Sequence, residues 1–242
     1  MKVKADALLE GCTLAGCQGA YGIAVVPEDD GWALWTRGES QISVAQVKLP
    51  ATAFPDGYTK LEEGFSVKQS FFPDALVPGT TPDITVEPGK MTVVTDRRRQ
   101  SIRLDGRDVN EYVRNMPSYA PNATMVIMSD DLIKFFKQKQ IKDFKGVNGV
   151  KLTLNEDGLT ASTIDEVSSF EDFLPCDTVV VPEGGTHASF NVDMVIPMIM
   201  AMPRNALVTL GFNTNSPLEL TVDTENVEAR ILLAPMIADE DE

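Results

Sequence analysis

The sequence predicts an α+β fold of two similar domains, each mostly antiparallel sheet with two helices. Three observations carry this. Short alternating strands recur through the 242 residues, separated by Gly, Pro, Asn and Asp. Four segments of helical spacing interrupt them. Helices open near residues 6 and 130, each followed by a similar run of strands, a repeat of roughly 120 residues and far longer than solenoid periods. The boundaries expected are 1–105 and 123–242, joined by 106–122, a stretch rich in Asp, Asn, Pro and Ser that includes Pro117 and Pro121.

The elements follow in order. A first helix is expected over about Asp6–Gln18, carrying Leu8, Leu9 and Leu14. Ile23-Ala-Val-Val and Trp32-Ala-Leu-Trp-Thr flank a hairpin turn at Asp30-Gly31. Ile42-Ser-Val-Ala-Gln-Val-Lys-Leu alternates as a strand with one buried face, ended by Pro50 and Pro55. A second helix is expected over about Ser66–Leu76, with Phe71 and Phe72 and a weakening Pro73. Asp83-Ile-Thr-Val-Glu and Met91-Thr-Val-Val-Thr form another hairpin, and Ser101-Ile-Arg-Leu-Asp a further strand. The second half repeats the grammar, with a third helix over about Asp130–Lys142 and a hairpin at Asp157-Gly158. Thr178-Val-Val-Val is a strand ended by Pro182. A fourth helix spans about Val192–Met202 with Pro197 near its middle. Ala206–Phe212, Leu218–Val222 and Glu228–Leu233 are the closing strands.

Hydrophobic content of 43% supplies a substantial core. No apolar run approaches the ~20 residues that span a bilayer. The opening Met1-Lys-Val-Lys-Ala-Asp lacks the build of a signal peptide, so a soluble, cytoplasmic protein without membrane partners is expected (nuclear if eukaryotic). Cys12, Cys17 and Cys176 read as buried reduced thiols rather than a zinc site. The single histidine, His187, reads as a polar strand residue. No phosphate loop, nucleophile elbow or metal motif is present, and no enzyme or cofactor is expected. The formal charge of −15 argues by itself against nucleic acid, but net charge says nothing of distribution.

The cations do cluster. Lys134, Lys137, Lys139, Lys142 and Lys145 lie within twelve residues; if the helix continues, Lys134, Lys137, Gln138, Lys142 and Lys145 can share one side, and Leu132, Ile133, Phe136 and Ile141 supply an apolar face. On its own this is also the pattern of an ordinary solvated helix, with Asp130 and Asp131 well placed at its N-terminus. Arg97-Arg-Arg99 reads as a solvated rim.

The end of the chain narrows the reading. Asn215-Ser-Pro-Leu-Glu-Leu-Thr-Val is followed by Val227-Glu-Ala-Arg-Ile-Leu-Leu-Ala-Pro-Met-Ile and the acidic Ala238-Asp-Glu-Asp-Glu. Strands ending on Leu-Ala-Pro-x-Ile before an acidic tail resemble the C-terminus of PCNA, the sliding clamp of archaea and eukaryotes. Ser40–Leu49 with Ala53-Phe and Tyr58, the 105–125 stretch, and Ala188-Ser-Phe-Asn-Val-Asp-Met-Val resemble further segments of that family.

The resemblance implies two clamp domains and a ring-forming, non-enzymatic processivity factor. Its implied partners are duplex DNA bound without sequence preference, DNA polymerase and other PIP-motif proteins, a clamp loader, and further copies of itself in a homotrimer. The alternatives are a subunit of a heterotrimeric clamp and a non-catalytic β-rich structural or interaction protein. The implied DNA-facing cations are the five lysines with Lys68 and Arg204; the other helices carry fewer cations than the family's. The implied client pocket is Ile42, Tyr112, Val113, Met116, Pro217, Ala234, Pro235, Met236 and Ile237. The implied subunit seam pairs Ser101, Ile102, Arg103 and Leu104 with Thr178, Val179, Val180 and Val181 of the next copy.

Overall fold

A computed structural model describes residues 1–17, 19, 22–38, 42–68, 74–96, 98–106, 108–112, 116–137, 149–164 and 169–236. The chain divides into two compact units, Met1–Pro117 with Asp223–Arg230, and Ser118–Val222 with Ile231–Glu242. The division falls within the 106–122 stretch, and the first unit takes back a short piece near the C-terminus.

The first unit opens with helix α1 (Ala5–Gly16). An antiparallel sheet of β1 (Gly22–Glu28), β2 (Gly31–Arg37), β3 (Ser43–Pro50) and β4 (Phe65–Lys68) follows, in the order β3-β2-β1-β4. A second sheet holds β5 (Asp83–Glu87), β6 (Lys90–Thr95) and β7 (Arg98–Arg103) in sequence order. The short α2 (Val109–Tyr112) comes last. Helix α1 buries Ala7, Leu8, Gly11, Cys12, Leu14 and Ala15. Gly11 allows a close approach: a Cβ there would stand 2.9 Å from Leu49 Cδ1 and 3.0 Å from Leu34 Cδ1. The buried Thr36 hydroxyl donates to the Ala15 carbonyl at 2.5 Å, capping a group that the helix end leaves unpaired. Trp32 packs edge-on against Phe54 and Phe65, with ring centroids 5.2 and 5.8 Å away.

The first expected hairpin is present, with Glu28 opposite Gly31. Gly31 has φ +149°, and a Cβ would meet the Leu49 carbonyl oxygen at 1.9 Å. The start of the second expected helix is corrected, while Asp74 near its end is helical. Its first residues lie in β4, where Phe65–Lys68 pair with Gly22–Val25 and bury Phe65 and Val67. An edge position on a sheet that needs cover outweighs their local spacing. Residues 69–73, including Phe71, Phe72 and Pro73, lie outside the described residues.

The second unit contains β8 (Ala123–Met128), helix α3 (Ser129–Phe136), β9 (Gly149–Asn155), β10 (Gly158–Ile164), β11 (Ser169–Pro175), β12 (Val179–Val180), β13 (Thr186–Asn191), helix α4 (Val192–Met200), β14 (Leu207–Phe212) and β15 (Leu218–Asp223). One antiparallel set runs β12-β8-β14-β15 and the other β11-β10-β9-β13. Strand β16 (Glu228–Leu233) is divided between the units. Helices α3 and α4 pack together, burying Leu132, Ile133, Phe135 and Phe136 from one and Val195, Met198 and Ile199 from the other. Asn191 caps α4 by accepting the Asp193 N–H at 2.8 Å. Helix α4 keeps Pro197 in its interior, at an exposed position.

The Asp157-Gly158 hairpin repeats the design of the first unit. Gly158 has φ +146°, and a Cβ would stand 2.2 Å from the Leu174 carbonyl oxygen. Strand β11 was not expected from sequence. Ser-Phe-Glu-Asp-Phe-Leu-Pro has no period-two alternation, and only its pairing along β10 makes it a strand.

Candidate functional site

Helix α3 positions the described part of the lysine cluster. Its apolar stripe is buried, which turns Asp131 and Lys134 outward, with Lys137 exposed just past the helix end. Lys139, Lys142 and Lys145 lie outside the described residues. Lys68 is exposed at the end of β4. Arg204 is not a free cation: its Nη1 donates to Asp130 Oδ1 at 2.5 Å. Asp130 Oδ2 also accepts the Asn205 N–H at 2.8 Å. The Arg204 hydrogen bond, then that of Asn205, holds the Asp130 carboxyl below its ordinary range. The other outward helix faces are not basic. They show Asp6 and Thr13 on α1, and Asp193 and Pro197 on α4.

The residues implied for a client pocket divide between the units. In the first unit Met116 is half-buried, packing with Val26, Val44 and Val109 over Ala24, Ala33 and Trp35. Ile42 is a large apolar residue left 38% exposed. In the second unit the segment after β16 lies along β13, where the Met236 N–H donates to the Ser189 carbonyl at 2.7 Å. The Met236 sulfur is seated over Gly149, 3.0 Å from where a Cβ would stand. The Met236 residue as a whole remains 38% exposed, while Ala234, Pro235 and Pro217 are half-buried. Tyr112 closes α2; its side chain, Val113 and Ile237 lie outside what is described.

The seam candidates are both at sheet edges. Among the described residues strand β7 pairs with β6 alone in its three-stranded sheet. It begins at Arg98, so Arg98 and Arg99 lie in the strand, Arg97 lies outside the described residues, and Leu104 falls just beyond the strand. Of Thr178–Val181 only Val179 and Val180 are in a ladder, paired with β8, and Val180 is 65% exposed. Sequence reasoning missed the longer edge. Strand β11 is seven residues long, ends the four-stranded sheet, and leaves Phe173 44% exposed. Two acidic residues between aromatics, Phe170-Glu-Asp-Phe173, were the signal that could have found it.

Among the described residues no group of three or more His, Cys, Asp and Glu side chains could hold a metal ion. Burial raises the thiol pKa of Cys12 and Cys17, which suits packing rather than reactivity. No helix of the described residues is long and apolar enough to cross a membrane.

Two units of antiparallel sheet and packed helices, each with an Asp-Gly hairpin on the same pattern, define a clamp fold. The particular fold is that of PCNA. A structure of A. fulgidus PCNA bound to the C-terminal region of FEN-1 matches with a TM-score of 0.81 at 15% identity, covering 99% of this chain and 98% of that one. Proliferating Cellular Nuclear Antigen from Entamoeba histolytica matches at 0.80 and 15% identity, over 98% of both chains. A PCNA2-PCNA3 complex from Sulfolobus tokodaii matches at 0.79 and 17% identity, over 97% of this chain and 99% of that one. No protein-family model and no curated protein matches the sequence.

Proposed function

We propose that this chain is one subunit of a DNA sliding clamp, a non-catalytic ring that encircles duplex DNA and tethers replication and repair proteins. The observation that carries this reading is the clamp fold, shared with PCNA structures over nearly the full length of both chains. Self-association is supported by two strands that end their sheets among the described residues. Strand β7 is one, and β11 is the better second edge, because seven residues offer a longer ladder than the two of β12. Three two-unit chains would give six units. A shared ring with a second, different subunit draws support from the likeness to the PCNA2-PCNA3 complex.

The client site we propose uses Ile42, Tyr112, Val113, Met116, Pro217 and Ala234–Ile237. The exposed apolar side chains of Ile42 and Met236 support it, as adaptable thioether and aliphatic walls suit aromatic anchors. The FEN-1 segment bound to A. fulgidus PCNA is the kind of client expected. DNA contact is assigned to Lys134 and Lys137 with Lys139, Lys142 and Lys145, and to Lys68, as long-range, non-specific phosphate attraction. Arg204 contributes less, because Asp130 already holds it.

Sedimentation and particle imaging test the reading. The expected result is a trimer seen as a six-domain ring with a hole wide enough for duplex DNA. A chain that stays monomeric at tens of micromolar would overturn it.

A further inference from the structure

We propose that Met236 is a peroxide-sensitive modification site: oxidation of its thioether to the sulfoxide closes the client site, and reduction by methionine sulfoxide reductases reopens it. This rests on the client-site reading proposed above and adds how binding there is controlled.

The segment after β16 is held along β13 by the Met236 N–H, which donates to the Ser189 carbonyl at 2.7 Å. Ser189 pairs with Lys151 of β9, and Asn191, two residues on, pairs with Gly149. The Met236 side chain lies over Gly149, where a Cβ would stand 3.0 Å from its sulfur and 3.6 Å from its Cε. The thioether therefore fills the notch that the glycine leaves in the sheet. The sheet closes one side of it, while 38% of the residue faces solvent.

Oxidation of a thioether needs access, because the sulfur lone pair is itself the nucleophile. It attacks hydrogen peroxide: an S–O bond forms, the O–O bond breaks, the sulfur gives up two electrons, and the second oxygen leaves with both protons as water. Two thiols of a reductase reverse the step, giving the sulfide, a disulfide and water. Competing sulfurs are less open. Met91, Met125, Met198 and Met202 are buried. Burial raises the Cys12 and Cys17 thiols away from the reactive thiolate. Among the described methionines Met128 is the other exposed one, at 37%, and it ends β8 outside the client site.

Either sulfoxide epimer spoils the wall. An oxygen directed at Gly149 finds the notch already filled and lifts the side chain off the sheet. An oxygen directed away sets a strong acceptor where an aromatic anchor would lie, and covering it leaves that acceptor unpaired. The apolar, adaptable contact of sulfur with an aromatic ring is lost in both.

The test is calorimetry with a peptide bearing glutamine, leucine and two phenylalanines, added after peroxide has been removed, with mass spectrometry of the same protein samples. Wild type should lose at least about tenfold in affinity. The loss should keep step with the Met236 sulfoxide rather than that of Met128, and reductases acting on both epimers should reverse it. The affinity of Met236→Leu, whatever its starting value, should change by less than about twofold on the same treatment. Circular dichroism should be unchanged by oxidation. A peptide that never binds untreated wild type overturns the client reading together with this inference. The inference alone is overturned by any of four results: Met236 resists peroxide while Met128 reacts, Met236 is fully oxidised without loss of binding, M236L loses as much as wild type, or the loss comes with unfolding.

Discussion

At the scale of single residues, the pair that sequence could not show is Arg204 with Asp130. Both were visible as charges, but they are 74 positions apart and meet because the β8–β14 ladder, with Met128 opposite Leu207, brings the start of α3 beside the segment before β14. A carboxyl whose folded pKa is depressed contributes stability above its unfolded value, and that contribution is lost as pH falls through the folded pKa. Arg204→Ala should therefore raise the Asp130 pKa towards 3.8, the ordinary value. Its shift should be partial, because the Asn205 N–H remains. The stability gap between wild type and R204A should close as pH falls below that value, and carboxyl-resolved NMR titration with acid unfolding checks both. Gly158 makes a second residue-scale prediction. Both its φ and the 2.2 Å approach to the Leu174 carbonyl exclude a side chain. Gly158→Ala should destabilise the second unit by about 2 kcal/mol or more, seen as a lowered denaturation midpoint. Here the sequence was sufficient: an Asp-Gly pair between alternating runs is a hairpin signal because glycine alone accepts that backbone.

At the scale of elements, legibility followed the range of the interactions that make each one. The β1–β2, β5–β6 and β9–β10 hairpins are local, and their residues announce both strands and turn. Strands β4 and β11 are not: each is extended because of a neighbour it covers, and β4 overrode a helical spacing. The same division holds for the site. The Lys134 face of α3 follows from periodicity, whereas the seating of Met236 on β13 depends on a carbonyl 47 residues away. Two predictions belong here. Replacing Lys134, Lys137 and Lys142 with alanine should weaken loading on primed DNA and flatten its salt dependence. The log–log slope should fall by at most about 0.9 for each phosphate that is no longer neutralised. Sequence preference should not change. Met236→Glu should abolish binding of a peptide bearing glutamine, an aliphatic anchor and two aromatics, for which wild type is expected at micromolar strength, about −8 kcal/mol, by calorimetry. The variant should keep the wild-type sedimentation coefficient; equal affinity in both proteins would move the client site elsewhere.

At the scale of the whole molecule, the net charge of −15 is not evenly spread, and its distribution over the helix faces is what a duplex would meet. On the sliding-clamp reading proposed above, the aspartates on the outward faces of α1 and α4 would keep the hold on a duplex loose. On that reading, such a hold would leave the ring free to slide. On the clamp reading these helices line the hole, and α1 stands as close to its sheet as Gly11 permits. A methyl at that position would require Leu49 or the helix to give by a few tenths of an ångström. On that reading the calibre of the ring would be a tolerance set from the inside. The residue that would gauge it, Gly11, is buried and has no side chain with which to reach DNA or a partner.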